Sequence, residues 1–599
     1  MASMQQAHRW GMPCLSDRRN FYIRNETNMS KFLATLGMSA SAVLLVACGG
    51  SDDPSTNQPG SGMPPPAAVA TYLPAQGEQA AYVDTRLQLT FDAPPVLGNS
   101  GTIKVFKAAD NSLVDTIDVG STIVSAGGET QTVMPYANTE IDQIGKNVAN
   151  LTQWRYVYYQ PVTIAGNTAT IKLHDGVLAY GTDYYVTMDP GTLAGRSNGA
   201  PLTALTGAKA WTFRTKSAPA SKTAVTVDDN GSADFRSVQG AIDWIMANGC
   251  NAAACANAAD AKTITVKNGD YDELLFIRNV NNLTITGESR AGVVVHSENY
   301  ESYNPSTGGS KTAAQTTLTN ELGATRRALG GGRAVLLVEN ADLLKLSNFT
   351  LKNTHVKQGI YNNQAETIYF NSATLNGSRF VATYMNFLSA QDTVQTKGWA
   401  WYYQSYIAGD VDFIWGSPFA ALFEESELHT VYDPTGTAAG PYSGGYLFQA
   451  RDAYGYPGFV VLNSTLSADA NVPAGSAYLG RSGGLTVANG YCNTVFTSGS
   501  FGNPNLGCDN IAFLGNKVGL HIASVGWFTQ PANSPLPDPS TPTATTGWRE
   551  SGSMDLSGKP LDVSGRTGYS RTGADLSGVN ARAKVFAGWN SGAGWVPAP

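Results

Sequence analysis

Charge is scarce in this sequence: only 14% of its 599 residues are Asp, Glu, Lys or Arg, against about a quarter in an ordinary soluble domain. The formal net charge of −7 leaves no basic footprint, which argues against nucleic acid as a partner. Any anionic ligand must be held by local contacts rather than by a general field. Histidine is also sparse. The six histidines, at 8, 174, 296, 355, 429 and 521, fall at no ligand-like spacing. The six cysteines include no CxxC pair, so zinc is disfavoured and neither metal nor cofactor is expected. Long amphipathic runs are few, whereas glycine is abundant at 64 residues. Short strands with polar turns, an all-β chain, suit that composition. At this length more than one domain is expected.

The N-terminus reads as an address. Lys31 precedes an apolar run, Phe32 to Ala47, too short for a comfortable membrane span but suited to a secretory leader. Residues 1–47 are therefore expected to be a signal peptide, with Met29 as a second candidate start because the residues before it are polar. Leu45-Val46-Ala47-Cys48 resembles a bacterial lipobox. That resemblance implies cleavage before Cys48, lipid on Cys48, and attachment to a membrane through the lipid alone. Gly49 rather than Asp follows, which in lipoproteins favours the outer membrane. The expected location is the outer membrane or surface of a Gram-negative bacterium, or the medium. Four cysteines remain beyond Cys14 and Cys48. Three connectivities are open, and the local pairs Cys250–Cys255 and Cys492–Cys508 are the expected ones in an oxidising compartment.

Residues 48–70, rich in Gly, Ser and Pro, read as a flexible tether. Over 71–217 apolar residues alternate, as in RLQLTF, TIKVF, DYYVTM and AWTFRT, which predicts a β-sandwich. The stretch resembles bacterial Ig-like domains and carries no constellation for chemistry, so a spacer is its expected role. KSAPASK, 216–222, reads as a linker to a second domain over 222–599. There a helix is predicted from Val238, Ile242 and Ile245 on one face, with Ser237 as its cap and Gly249 near its end. Further on, Asn348, Asn386, Ser405, Ser426 and Ser464 recur at similar points of short apolar runs, 38, 19, 21 and 38 residues apart. A period near 19 to 21, or twice that, is the mark of a stacked solenoid. LxxLxLxxN is absent, so a parallel β-helix is predicted, with the small polar residues forming a ladder.

The stretch Gln391 to Gly416, QDTVQTKGWAWYYQSYIAGDVDFIWG, holds three acids: Asp392, Asp410 and Asp412. An acid among Val411, Phe413, Ile414 and Trp415 is costly unless paired or at work. Asp392 and Asp412 lie 20 residues apart, one coil. Neighbouring strands are about 4.8 Å apart, so the two carboxyls would be stacked and their proton affinities would separate.

In order along the chain, VTVDDNGSADFRSVQGAID, GDYDE (Gly269, Tyr271, Glu273), NQAET with Gln364, Gln391-Asp392-Thr393, GDVDFIWG, FQARD (Gln449, Arg451) and Leu479-Gly480-Arg481 resemble the motifs of the pectin methylesterase family. The resemblance implies a right-handed parallel β-helix that hydrolyses the methyl esters of pectin (homogalacturonan), acting as a monomer. It implies Asp412 as nucleophile, Asp392 as acid and then base, Gln364 and Gln391 as oxyanion donors, and Arg481 as the residue that orients Asp412 and touches substrate. Departures are visible. Ser482 and Gly483 follow Arg481 where the family has Pro-Trp, Gln395 stands in place of a Tyr, and Trp415 replaces a Phe and offers a stacking platform for sugar. Ser302 to Gly332 looks like an insertion over the groove. Asp410 reads as a turn residue.

Four other readings compete. Gly480 to Gly484 fits GxSxG around Ser482, with Asp509 and His521 following, but the strand–turn–helix alternation of a serine hydrolase is missing. A pectate lyase would need clustered carboxylates for calcium. A family member acting on another ester or an acyl-CoA thioester, or a non-catalytic polysaccharide-binding surface protein, remains the alternative.

Overall fold

The computed structural model describes residues 71–125, 134–149, 151, 153–249, 260–305, 332–359, 361–434, 445–452, 455–482, 509–528 and 547–599. The expected signal peptide and tether, Cys48 and the four other cysteines of the expected pairs lie outside these residues. So do 306–331 of the proposed insertion. No helix among the described residues is long and apolar enough to cross a membrane.

The first described part is built from antiparallel sheets. A four-stranded sheet containing Leu87–Thr90 and Thr168–Ile171 faces a five-stranded sheet containing Thr102–Lys107, Asp183–Met188 and Thr212–Thr215. Strand alternation puts Leu87, Leu89, Ile103, Val105, Tyr184, Val186 and Phe213 into one shared core around Trp211, as in a sandwich.

From Ala224 onward the strands are all parallel and stack coil upon coil, forming a parallel β-helix. Each coil gives strands to successive flat faces. Strands Val394–Tyr403 and Val411–Glu424 are long enough to run across two faces, which joins them into one sheet of 17 strands, while a further nine-stranded sheet closes the coil. The interior is apolar. Ile368, Val394, Ile414 and Phe448 stack in register, and Tyr402 lies on Phe423 with ring centroids 4.5 Å apart. Each such side chain contributes about 1.5–3 kcal/mol by leaving water. The helix Val238–Trp244 covers the first coil with Val238, Ala241 and Ile242. Ser237 caps it by accepting from the Gly240 N–H. Glu273, from the GDYDE motif, accepts from the N–H groups of Val238 and Gln239, so this acid has a structural task at the positive helix end.

The polar ladder exists, with a shifted membership. The hydroxyl of Ser426 accepts from the Ser405 N–H (3.2 Å), that of Ser464 from the Ser426 N–H (3.0 Å), and Asn516 Oδ1 from the Ser464 N–H (2.8 Å). Asn386 pairs in register with Tyr406, not Ser405, so Met385 occupies its expected rung. Asn348 instead donates to the Gly287 carbonyl. The column runs through Phe349 and Met385, so Asn348 stands one residue before it and Asn386 one residue after it.

Candidate active site

The site follows from register. Leu336, Ile368, Val394 and Ile414 pair across four successive coils. Two residues earlier in the last three of these coils stand Glu366, Asp392 and Asp412, a column of carboxyls. The backbone confirms the alignment: Gln391 bridges Val411, the Asp392 N–H donates to the Val411 carbonyl (3.0 Å), and the Ala365 N–H to the Gln391 carbonyl (3.1 Å). One residue after the anchors runs a second column, Tyr369, Gln395, Trp415, Gln449 and Arg481.

Strict alternation would turn Asp392 and Asp412 to the same side as Val394 and Ile414, into the core. It is broken at both positions. Asp392 has φ of 60° and Asp412 of 48°, left-handed values uncommon outside glycine. The ladder also shifts register between Val411 and Ile414, as at a β-bulge.

Asp412 is 5% exposed and well served by donors. Arg481 Nε lies 2.8 Å from Oδ1, a second guanidinium nitrogen of Arg481 bonds Oδ2, and Gln449 Nε2 donates to Oδ2 at 2.9 Å. The fork of arginine matches a carboxylate with two bonds. Arg451 donates to Gln449 Oε1 at 3.0 Å and so fixes which way that amide faces. Asp392, also buried, receives one side-chain hydrogen bond among the described residues, from Arg333 Nη2 at 3.2 Å. Burial pushes the Asp392 carboxyl well above the usual range. Arg333 and Arg481 oppose this, while Glu366 and Asp412 add to it.

Gln364 lies beside this column, with Ala365 between it and Glu366, and its Oε1 is buried without a partner among the described residues. Trp415 is half-buried, with Arg333 and Arg451 over its ring at 5.7 and 5.6 Å and Tyr369 against it edge-on. Gln395 is fully buried and neither amide atom has a partner among the described residues. Trp399 and Trp401 are fully buried beneath Leu576, Val585 and Phe586 of the C-terminal segment, so neither offers a ring to a ligand. Ser482 is the last residue of the solenoid strand Ala477–Ser482, and the rest of the GxSxG match, Gly483 and Gly484, lies outside the described residues.

Sequence reasoning missed three charged groups. Arg333 donates to Glu366 (2.9 Å) and to Glu301 (2.9 Å) as well as to Asp392. A signal was present for Glu366, which precedes Asp392 by 26 residues, one coil, in an apolar run. Arg333 and Glu301 flank the expected insertion and had none. Asp410 is more than a turn residue: it is buried, bonds Lys357 at 2.5 Å, and burial lifts it to about 6. Lys357 also reaches Asp433 at 2.7 Å. Among the described residues no group of three or more His, Cys, Asp or Glu is placed to hold a metal ion.

No protein-family model matches the chain. Among characterised proteins it is 28% identical over 271 residues to a pectinesterase of Ralstonia nicotianae, covering 43% of this chain and 62% of that protein. It is 26% identical over 305 residues to a pectinesterase of Ralstonia solanacearum, covering 49% of this chain and 69% of that protein. Solved structures with a related fold include the pectin methylesterase of Erwinia chrysanthemi, at 22% identity and a TM-score of 0.44, covering 63% of this chain and 100% of that one. Another is the carrot pectin methylesterase, at 16% identity and a TM-score of 0.41, covering 63% and 95%. The chain thus spans a little under two thirds of the first of these relatives, and in sequence it is similar to the pectinesterases.

Proposed function

We propose that this protein hydrolyses the methyl esters of polygalacturonate, releasing methanol and leaving pectate. The observation that carries the reading is the stacking of Asp392 and Asp412 one coil apart, with opposite surroundings. Asp412 is gripped by Arg481 and Gln449, whereas burial favours a proton on Asp392. An oriented carboxylate beside a carboxylic acid is what a two-step ester hydrolysis needs. Asp412 attacks the ester carbonyl carbon, and the carbonyl oxygen takes the negative charge. The side-chain amides of Gln364 and Gln391 are the donors for that oxygen, each worth about 3 kcal/mol where such donors have been removed. The intermediate collapses as the C–O bond to the methoxy group breaks, and Asp392 gives its proton to make methanol. Water then attacks the acyl group on Asp412 and passes a proton to Asp392. The galacturonic acid leaves and gives its remaining proton to solvent, and both aspartates return to their starting states.

Trp415 and Arg481 are the proposed sugar contacts. The relatives named pectinesterase support the substrate class. The export reading, with lipid on Cys48 and a place at the outer membrane, stands on the Leu45–Cys48 motif alone. The test is methanol release from methyl-esterified polygalacturonate in the presence of EDTA. Methanol without unsaturated product supports the reading; EDTA-sensitive formation of unsaturated sugar would replace it with a lyase.

A further inference from the structure

We propose that Arg333 is a positioning residue for Asp392, and that the N-terminal sandwich takes part in the site by clamping the backbone that carries Arg333. The proposal rests on the esterase reading above and deepens it.

Arg333 sits at the head of the carboxyl column and Arg481 at its far end. Its guanidinium is 7% exposed with the rest of its residue and meets three carboxyls. Nε lies 2.9 Å from Glu366, Nη1 lies 2.9 Å from Glu301 and Nη2 lies 3.2 Å from Asp392. A buried cation of this kind is costly unless every donor is matched, and here one of the matches is the acid of the proposed dyad. That acid needs two protonation states of similar energy, because it gives a proton in one half-reaction and takes one in the next. The groups facing Asp392 are Glu366, Asp412, Arg333 and Arg481. Those facing Arg333 are Glu301, Glu366 and Asp392, with the Trp415 ring 5.7 Å away. Lys357, Asp410 and Asp433 form a separate paired group. Burial and the two carboxyls favour the protonated form of Asp392, and Arg333 is the contact that makes the ionised form reachable.

The clamp comes from the other domain. Arg155, on the strand Arg155–Tyr159 of the N-terminal part, is fully buried. It donates to the carbonyls of Gly332 (3.0 Å) and Ala334, one on each side of Arg333, and to those of Val335 (3.0 Å) and Leu275 (2.7 Å). Asn299 donates to the same two carbonyls, of Gly332 and Ala334, at 2.9 and 2.8 Å. Asn304 exchanges two hydrogen bonds with the Tyr158 backbone and donates to Asn299. A continuous polar path therefore runs from the sandwich strand to the Arg333 backbone. A domain that only spaced the solenoid from a membrane would need no such path.

The experiment is the pH profile of kcat/KM for methanol release by the full chain. Asp392 must carry its proton to act as acid, so its titration sets the alkaline limb. Glu366→Gln, nearly isosteric, removes one negative neighbour and is expected to move that limb down by about 1–3 units. Adding Arg333→Gln to Glu366→Gln removes the cation and is expected to move the limb back up. Arg333→Lys keeps the charge, leaves the limb in place and lowers kcat through lost fork geometry. Arg155→Met is expected to lower kcat at least tenfold and to shift the limb upward. Limbs that stay at the wild-type pH in Glu366→Gln and in the double variant would overturn the role of Arg333, whatever happens to kcat. An Arg155→Met enzyme with wild-type kcat and limb would overturn the clamp. If the double variant fails to fold, Arg333→Lys decides: wild-type kcat there would overturn the positioning role. If the wild type releases no methanol, the esterase reading fails instead. The ¹³C carboxyl titration of Asp392, assigned by its loss in Asp392→Asn, then carries the same comparison.

Discussion

Replacing Arg481 by alanine tests the grip on the proposed nucleophile. Among the described residues Arg481 supplies two of the three side-chain donors to Asp412, with Nε 2.8 Å from Oδ1 and a second nitrogen on Oδ2. Of the described donors, the Gln449 amide, at 2.9 Å, remains after the change. Breaking one side of a buried ion pair costs about 3–5 kcal/mol. The Arg481 side chain is 25% exposed, so water reaches part of the vacated space and the lower end, about 3 kcal/mol, is the fitting figure. If half or more of that loss falls on the transition state, kcat drops by about 10- to 100-fold, each tenfold step being about 1.4 kcal/mol. Arg481→Lys restores the charge but not the fork, and should recover part of that loss. The assay is initial-rate methanol release across substrate concentrations, with thermal unfolding run in parallel. A kcat within threefold of wild type for Arg481→Ala would refute the reasoning, because Asp412 would then hold its reactive geometry without the guanidinium.

Three further outcomes are expected. Gln449→Leu removes the remaining side-chain donor to Asp412 and should lower kcat about ten- to hundredfold, the value of a hydrogen bond to a charged group, with the fold intact by circular dichroism. Ser426→Ala leaves the buried Ser405 N–H without its acceptor and should lower unfolding stability by about 1–3 kcal/mol, read as a shifted denaturant midpoint at unchanged slope. His174 is held at about 9: burial alone would lower it, but its hydrogen bond to Asp115 and the charges of Asp115, Asp142 and Glu140 outweigh that. Its folded value lies above the unfolded one, so its stabilisation is fully present below pH 6.5 and is lost as pH rises through about 9. His174→Gln should therefore cost at most about 3 kcal/mol near pH 6, less whatever the buried Glu140 carboxyl takes back, and little above pH 9.5. A pH-independent cost would contradict it.

Much of the solenoid could be read in advance because its period is written in small polar residues and apolar strands. The 20 residues from Asp392 to Asp412 span one coil in register, as their spacing implied. Where insertions lengthen the coils, counting lost its force. The steps from Ile414 to Phe448 and from Phe448 to Gly480 are 34 and 32 residues. The direction of the two aspartates was not legible at all. Alternation sends them inward, and only their left-handed backbone turns them out. Arg333 was invisible for a different reason: its partners Glu301, Glu366 and Asp392 come from distant points of the chain, and nothing local marks a buried cation. The bond from Arg155 to the solenoid backbone is likewise a product of how two domains pack, which no motif records.

The central claim is that Asp412 is the nucleophile of an ester hydrolysis. The most direct measurement is methanol release from methyl-esterified polygalacturonate by the wild-type protein and by Asp412→Asn, at matched folded concentration. Sustained release by the wild type is expected, with a loss of at least 1,000-fold in Asp412→Asn, the scale seen when a group that acts as a unit with its neighbours is removed. Release by Asp412→Asn at the wild-type rate would contradict it.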